Sequence, residues 1–130
     1  MIVSLHVATG AAGGALVGSR RGSLVLGPLL HLVGDRLPHH DIPDRDFEVA
    51  SGAAAVLVLA AVRGPLDPAV TGALAASMPD LEHVLPVPRA GGRKLFPSHR
   101  FRGWHRTGGL SGSAQLLLAG FLLGLLLHRR

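Results

Sequence analysis

Histidines and acids in this 130-residue chain gather in three short groups, each placed where an apolar stretch ends. One holds His31, Asp35, His39, His40, Asp41 and Asp44; the next holds Asp80, Glu82 and His83; the last holds His99 and His105. His6 stands apart, inside the opening apolar stretch. Imidazole and carboxylate are the usual ligands of zinc and related divalent ions. The chain has no cysteine, which removes disulfides, thiolate metal sites and cysteine nucleophiles together. Any metal ligands here are nitrogen and oxygen.

Spacing indicates which of these residues can act together. His31 and Asp35 are four apart, so on a helix both project from one face. Pro38 disfavours helical geometry in the residue before it. The helix is therefore expected to end there, with His39, His40 and Asp41 folding back over its end. An unsatisfied aspartate inside an apolar helix costs roughly 2.5–3.5 kcal/mol on membrane-insertion scales, which argues for a functional Asp35 over a plain charged cap.

Asp80 and His83 are three apart, again on one face, while Glu82 turns away from them. Following Met78-Pro79, Asp80 also suits the first turn of a new helix. Glu82 is open to two readings, a base beside a metal or a surface charge. Further on, the stretch 93–109 interleaves basic residues with Phe96, Phe101 and Trp104. It can supply His99 and His105 as ligands beside arginines that grip a phosphate. It also suits a lipid interface, whereas a stacking surface for nucleic acid does not fit a membrane face.

Five apolar segments, about 2–18, 23–37, 47–62, 66–82 and 109–128, must position these groups. A spanning helix takes about 20 apolar residues, with roughly 17 the lower limit. The fifth segment meets that length, the first and third are marginal, and the second and fourth end in charge. Mean hydropathy is +0.39. Charged residues make up only 16% of the chain and apolar ones 48%, against about 25% charged in ordinary soluble domains. The predicted fold class is all-α: a single membrane-embedded domain spanning residues 1–130, an integral membrane bundle of five segments, some short or tilted.

Five crossings put His6, the 31–44 group, Asp80–His83 and His99–His105 at one membrane face. That face carries eight Lys/Arg residues against five on the other, which the positive-inside rule assigns to the cytoplasm. Nothing basic precedes the first segment and Arg20-Arg21 follow it, the reverse of a signal peptide, so it is expected to remain in the mature chain. The net charge of +5 rests almost wholly on arginine and suits contact with anionic lipid. Small residues recur four apart (Gly10, Gly14 and Gly18; Gly72 and Ala76; Gly120 and Gly124), a spacing that lets helix backbones approach closely. Neither a phosphate-cradling GxxxxGK[ST] loop nor a GxSxG elbow is present.

Taken together, His6, the element Met78-Pro79-Asp80-Leu81-Glu82-His83, and His99-Arg100 with His105 resemble the YdjM-like family of membrane-bound metal-dependent hydrolases of bacterial inner membranes. Glu82 stands where that family usually has aspartate, and the two late histidines are six apart where about five is usual. In ligand style the chain is also similar to zinc phospholipase C, which implies phosphoester hydrolysis. The expected protein is thus an inner-membrane hydrolase acting on a phosphoester of a lipid or membrane-associated substrate, with no nucleic-acid partner.

Zn2+, one or more ions, is the expected cofactor, with Mn2+ the alternative. The candidate ligands are His6, His31, Asp35, His39, His40, Asp41, Asp80, His83, His99 and His105. Glu82 or Asp41 is the candidate base, and Arg100, Arg102 or Arg106 the candidate phosphate clamp. The competing reading is a non-catalytic metal-binding membrane protein, either a metal or proton transporter or a metal-stabilised scaffold. The scaffold differs from the enzyme in closing its coordination shell.

Overall fold

The computed structural model describes residues 1–128 and is built of helices joined by loops, with no strand among them. The principal helices are α1 (Val3–Val17), α2 (Arg20–Arg36), α3 (Arg45–Arg63) and α4 (Pro68–Ser77). Two single-turn helices follow, α5 (Leu81–Val84) and α6 (Pro97–Arg100), and then the closing helix α7 (Gly112–His128). Their starts are written locally. Ser19 accepts the Gly22 N–H at 3.1 Å and opens α2. Asp44 accepts the Phe47 N–H at 3.0 Å and opens α3, with Asp46 and Glu48 favourably placed in its first turn. Asp67 accepts the Ala69 N–H at 2.7 Å before Pro68, the first residue of α4.

Helix α1 lies at the centre, packed against α2, α3, α4 and α7. Val7, Ala11, Leu59, Ala69, Val70 and Ala73 form one buried cluster, and Ile2, Leu5, Ala8 and Ala119 a second. A helix surrounded by neighbours has no polar face to show, so α1 is apolar all round because it is the core of the bundle.

This corrects the membrane-spanning reading: among the described residues no helix is long and apolar enough to cross a membrane. At about 1.5 Å per residue, a hydrocarbon layer of about 30 Å needs some 20 residues. Helix α1 has 15 residues and α4 only 10. Helix α2 carries Arg20, Arg21, Asp35 and Arg36, and α3 carries Arg45, Asp46, Glu48 and Arg63. The apolar segment expected over 66–82 is broken after Ser77, where a 3-10 turn at Met78–Asp80 leads into α5. Integral membrane residence and an inner-membrane location therefore do not stand. Apolar side chains are nonetheless exposed, among them Leu24, Val25 and Leu29 on α2, Leu57 on α3, and Leu117 and Phe121 on α7. Arg129 and Arg130, counted above among the basic residues of the far side, lie outside the described residues.

The glycine spacing acts in one place and is idle in another. At Gly10 an added Cβ would lie 2.3 Å from the Gly72 carbonyl oxygen, so α1 and α4 meet backbone to backbone. At Gly120 and Gly124 nothing lies within 4 Å. Gly10→Ala is expected to lose about 1–3 kcal/mol of stability through overpacking. Gly120→Ala is expected to gain about 0.5–1 kcal/mol from helix propensity. Chemical denaturation of the two variants beside the parent protein checks both signs.

Candidate metal centre

One buried carboxylate stands at the middle of the polar residues. Asp35, 1% exposed, is held near the end of α2 with His31 one turn before it, and the His31 Nε2–Asp35 Oδ2 distance is 3.1 Å. Helix α1 brings His6 Nε2 to 3.1 Å from Oδ1. On α6, Ser98 donates its hydroxyl to Oδ2 at 2.6 Å and His99 Nε2 lies 3.4 Å from the same oxygen. The Met1 amine lies 2.9 Å from Oδ1 and also touches His39 Nε2. Burial works to raise the Asp35 pKa, but hydrogen bonds from His31, His6 and His99 outweigh it and hold the group ionised, far below the usual carboxylate range.

Three of the imidazoles are oriented from behind. His31 Nδ1–H donates to the Ala76 carbonyl at 2.8 Å, and His39 Nδ1–H to the Leu37 carbonyl at 2.7 Å. His99 Nδ1–H donates to Glu82 Oε1 at 2.6 Å. Carbonyl and carboxylate oxygens only accept, so each Nδ1 carries a hydrogen and each Nε2 faces inward, where it is a lone pair for a metal or, carrying a proton, a donor to a carboxylate such as Asp35. This is the backing that metal-binding histidines ordinarily have. His31 Nε2 and His99 Nε2 lie 3.3 Å apart, and His39 Nε2 and His105 Nε2 3.0 Å apart. Two inward lone pairs at such a distance must share a proton or a cation. Burial works to lower the His99 pKa, but its bonds to Asp35 and Glu82 override burial and raise it.

The loops that carry His39 and His105 are clipped together by backbone. Arg106 N–H donates to the Asp35 carbonyl at 3.0 Å, His39 N–H to Arg106 O at 3.2 Å, and Gly108 N–H to His39 O at 3.0 Å. Gly109 has φ +75°, and a Cβ there would sit 2.5 Å from Pro38 O, so the closure requires glycine. Gln115, fully buried on α7, accepts the Ile2 N–H and donates to the His40 carbonyl at 2.8 Å. It ties the start of α1 to the loop after α2.

Nine of the ten ligand candidates come together. Ligand atoms of His6, His31 and Asp80 lie within 4.8 Å of one another, as do those of His31, Asp35 and His99, of Asp35, His39 and His105, and of Asp80, His83 and His99. Asp41 joins at the edge, 3.2 Å from His39 Nε2 and 3.5 Å from His105 Nε2, which hold its pKa well below the usual range. His83 is exposed at the rim, edge-on to His99 and 2.7 Å from Lys94 Nζ; burial, His99 and Lys94 lower its pKa to about 4. His40 is left out: its side chain is exposed and only its backbone serves. These buried His and Asp groups can hold a metal ion. Two orphaned atoms fit that use, Asp80 Oδ2 and His6 Nδ1, each buried without a hydrogen-bond partner.

The roles expected of other residues shift. Both Glu82 oxygens are occupied, Oε2 by Leu95 N–H at 2.6 Å and Oε1 by Phe96 N–H at 3.2 Å and His99. These bonds hold its pKa down against the effect of burial and cast it as the residue that orients His99. Arg100, Arg102 and Arg106 have exposed side chains, Arg100 lying over Phe101, and none of the three lines the cavity beside the cluster. Arg45 does line it. Ser98, Gln115 and Arg45 were not singled out from the sequence. Of these only Gln115 left a signal, a lone amide in the most apolar helix, which must be satisfied where it is buried.

Compared with protein-family models, curated proteins and solved structures, the chain finds no match. What the cluster does must follow from its own geometry.

Two measurements test that geometry. Glu82→Gln replaces the charged acceptor behind His99 with a neutral amide and is expected to weaken zinc binding about 10–100-fold in competition with a chromophoric chelator. Burial lowers the His6 pKa from 6.5 to about 3. As pH falls from 7 to 5 the unfolded chain therefore takes up a proton that folded His6 refuses, and chelated protein loses about 2 kcal/mol from this residue. His6→Asn should flatten the pH dependence of urea stability by that amount. His99 acts in the opposite sense, being raised, but is common to both proteins.

Proposed function

We propose that this protein is a metal-dependent hydrolase of phosphoesters whose substrates carry an apolar chain. The observation that carries the reading is that the cluster opens onto a cavity of about 590 Å3 with an apolar wall. Asp41, Asp80, His99 and His105 are part of its lining, together with Val3, Val7, Val56 and Leu74. A site that bound metal only to hold the fold together would have no need of such a space.

With imidazole and carboxylate ligands, zinc is the natural ion and manganese the alternative. Held by these residues, a divalent ion would supply a water that ionises near pH 7. The water oxygen adds to phosphorus, the P–O ester bond breaks, and the leaving alcohol takes up a proton. Asp41, half exposed at the cavity edge, is the proposed acceptor for the proton of the attacking water. Arg45, which lines the cavity, would meet the phosphate, and the aliphatic wall would bury a chain.

The test loads the protein with zinc or manganese and offers bis(p-nitrophenyl) phosphate and phosphodiesters of increasing alkyl length. Hydrolysis is expected, with kcat/KM rising severalfold per methylene until the cavity is filled, since each buried CH2 is worth about 0.8 kcal/mol. Asp80→Asn should abolish it. Fully metal-loaded protein that cleaves no phosphoester sinks the proposal.

A further inference from the structure

The cluster divides at Asp35. On the Oδ2 side, His31 Nε2 and His99 Nε2 lie at 3.1 and 3.4 Å from that oxygen and 3.3 Å from each other. Asp80 Oδ1 lies 3.8 and 3.6 Å from the same two nitrogens. Ligands bonded tetrahedrally at about 2.0–2.1 Å sit about 3.3 Å apart. Five of the six separations among these donors run from 3.1 to 3.8 Å, close to that spacing, and four donors are enough to fill the shell of one ion.

Beyond them a second set remains. His39 Nε2 and His105 Nε2 are 3.0 Å apart, and with Asp35 their ligand atoms fall within 4.8 Å. His39 is backed by the Leu37 carbonyl in the same way as the inner histidines are backed by Ala76 and Glu82. A cationic group already meets this set: the Met1 amine touches His39 Nε2 and lies 2.9 Å from Asp35 Oδ1. Six donor side chains (His31, Asp35, Asp80 and His99 with His39 and His105) exceed what one zinc ion takes. His6 is accounted for separately, as a hydrogen-bond partner of Asp35 Oδ1.

We infer that the protein binds two divalent ions bridged by the Asp35 carboxylate, which deepens the metal-centre reading above and rests on it. The inner ion is closed by His31, Asp35, Asp80 and His99. The outer ion is held by Asp35, His39 and His105, taking over the contacts the Met1 amine makes. Three protein ligands leave the outer ion one open position, which faces the cavity beside Asp41. The two ions then divide the work. The inner one ties α2, the turn at Met78–Asp80 and α6 together, and the outer one meets water and substrate. Paired ions about 3.5–4 Å apart are the arrangement that stabilises both attacking and leaving oxygens in phosphoester cleavage.

Metal content after dialysis against zinc, and separately against manganese, tests this directly. The wild-type protein should hold two ions per chain. His105→Ala, on a loop and with a side chain 33% exposed, should keep its fold by circular dichroism and hold one. Manganese electron paramagnetic resonance should show a spin-coupled, broadened spectrum in the wild type and the six lines of isolated Mn2+ in His105→Ala. One ion per chain in the wild type, or two coupled ions retained in His105→Ala, overturns the inference. A one-ion protein that hydrolyses phosphoesters would overturn the pair and leave the function standing; two ions without hydrolysis would do the reverse.

Discussion

A negative charge buried at 1% exposure is the constraint around which this chain is arranged. An isolated carboxylate taken out of water is costly, so it must be surrounded by donors or cations. Asp35 has both: a hydroxyl from Ser98, imidazoles from His6, His31 and His99, and the Met1 amine. Those partners come from α1, α2 and α6, so satisfying one side chain brings three helices to one point. Its backbone joins in, because the Asp35 carbonyl receives the Arg106 N–H and anchors the loop that carries His105.

Behind these contacts lies a layer of residues that never face the cavity mouth but decide where the others point. Glu82 takes up His99 and two backbone N–H groups, while Ala76 and Leu37 offer carbonyls to His31 and His39. Gln115 reaches from the closing helix to the loop after α2. Imidazole has two nitrogens, and fixing the hydrogen on one makes the other a directed lone pair. The cluster is therefore a set of oriented donors, unlike a patch of exposed charge whose side chains rotate freely.

The apolar content of the chain has a different cause from the one its hydropathy suggests. Helix α1 is buried by four neighbours, and α4 meets it through the Gly10–Gly72 contact without room for side chains between them. Small, apolar, glycine-rich sequence is what close helix packing requires in any solvent. A segment such as 2–18 is consequently ambiguous: a core helix and a membrane helix both lack a polar face. Length decided between them, and α1 and α4 fall short.

Sequence alone determined the helical class, the principal helix starts and the identity of the metal-capable side chains. Those features are local: a capping Asp or Ser, a proline, a four-residue spacing, an unpaired acid in an apolar run. His31 and Asp35 were legible as partners because helical geometry fixes residues four apart. Tertiary structure alone decided that His40 turns away while its neighbour His39 turns in, since one backbone clip to residues 106–110 settles both. It also gave Glu82 to His99, Ser98 to Asp35 and Arg45 to the cavity, pairings between residues far apart in the chain or on separate elements. No spacing rule reaches across such separations. Which polar groups meet is set by how the helices pack, and packing is a property of the whole chain.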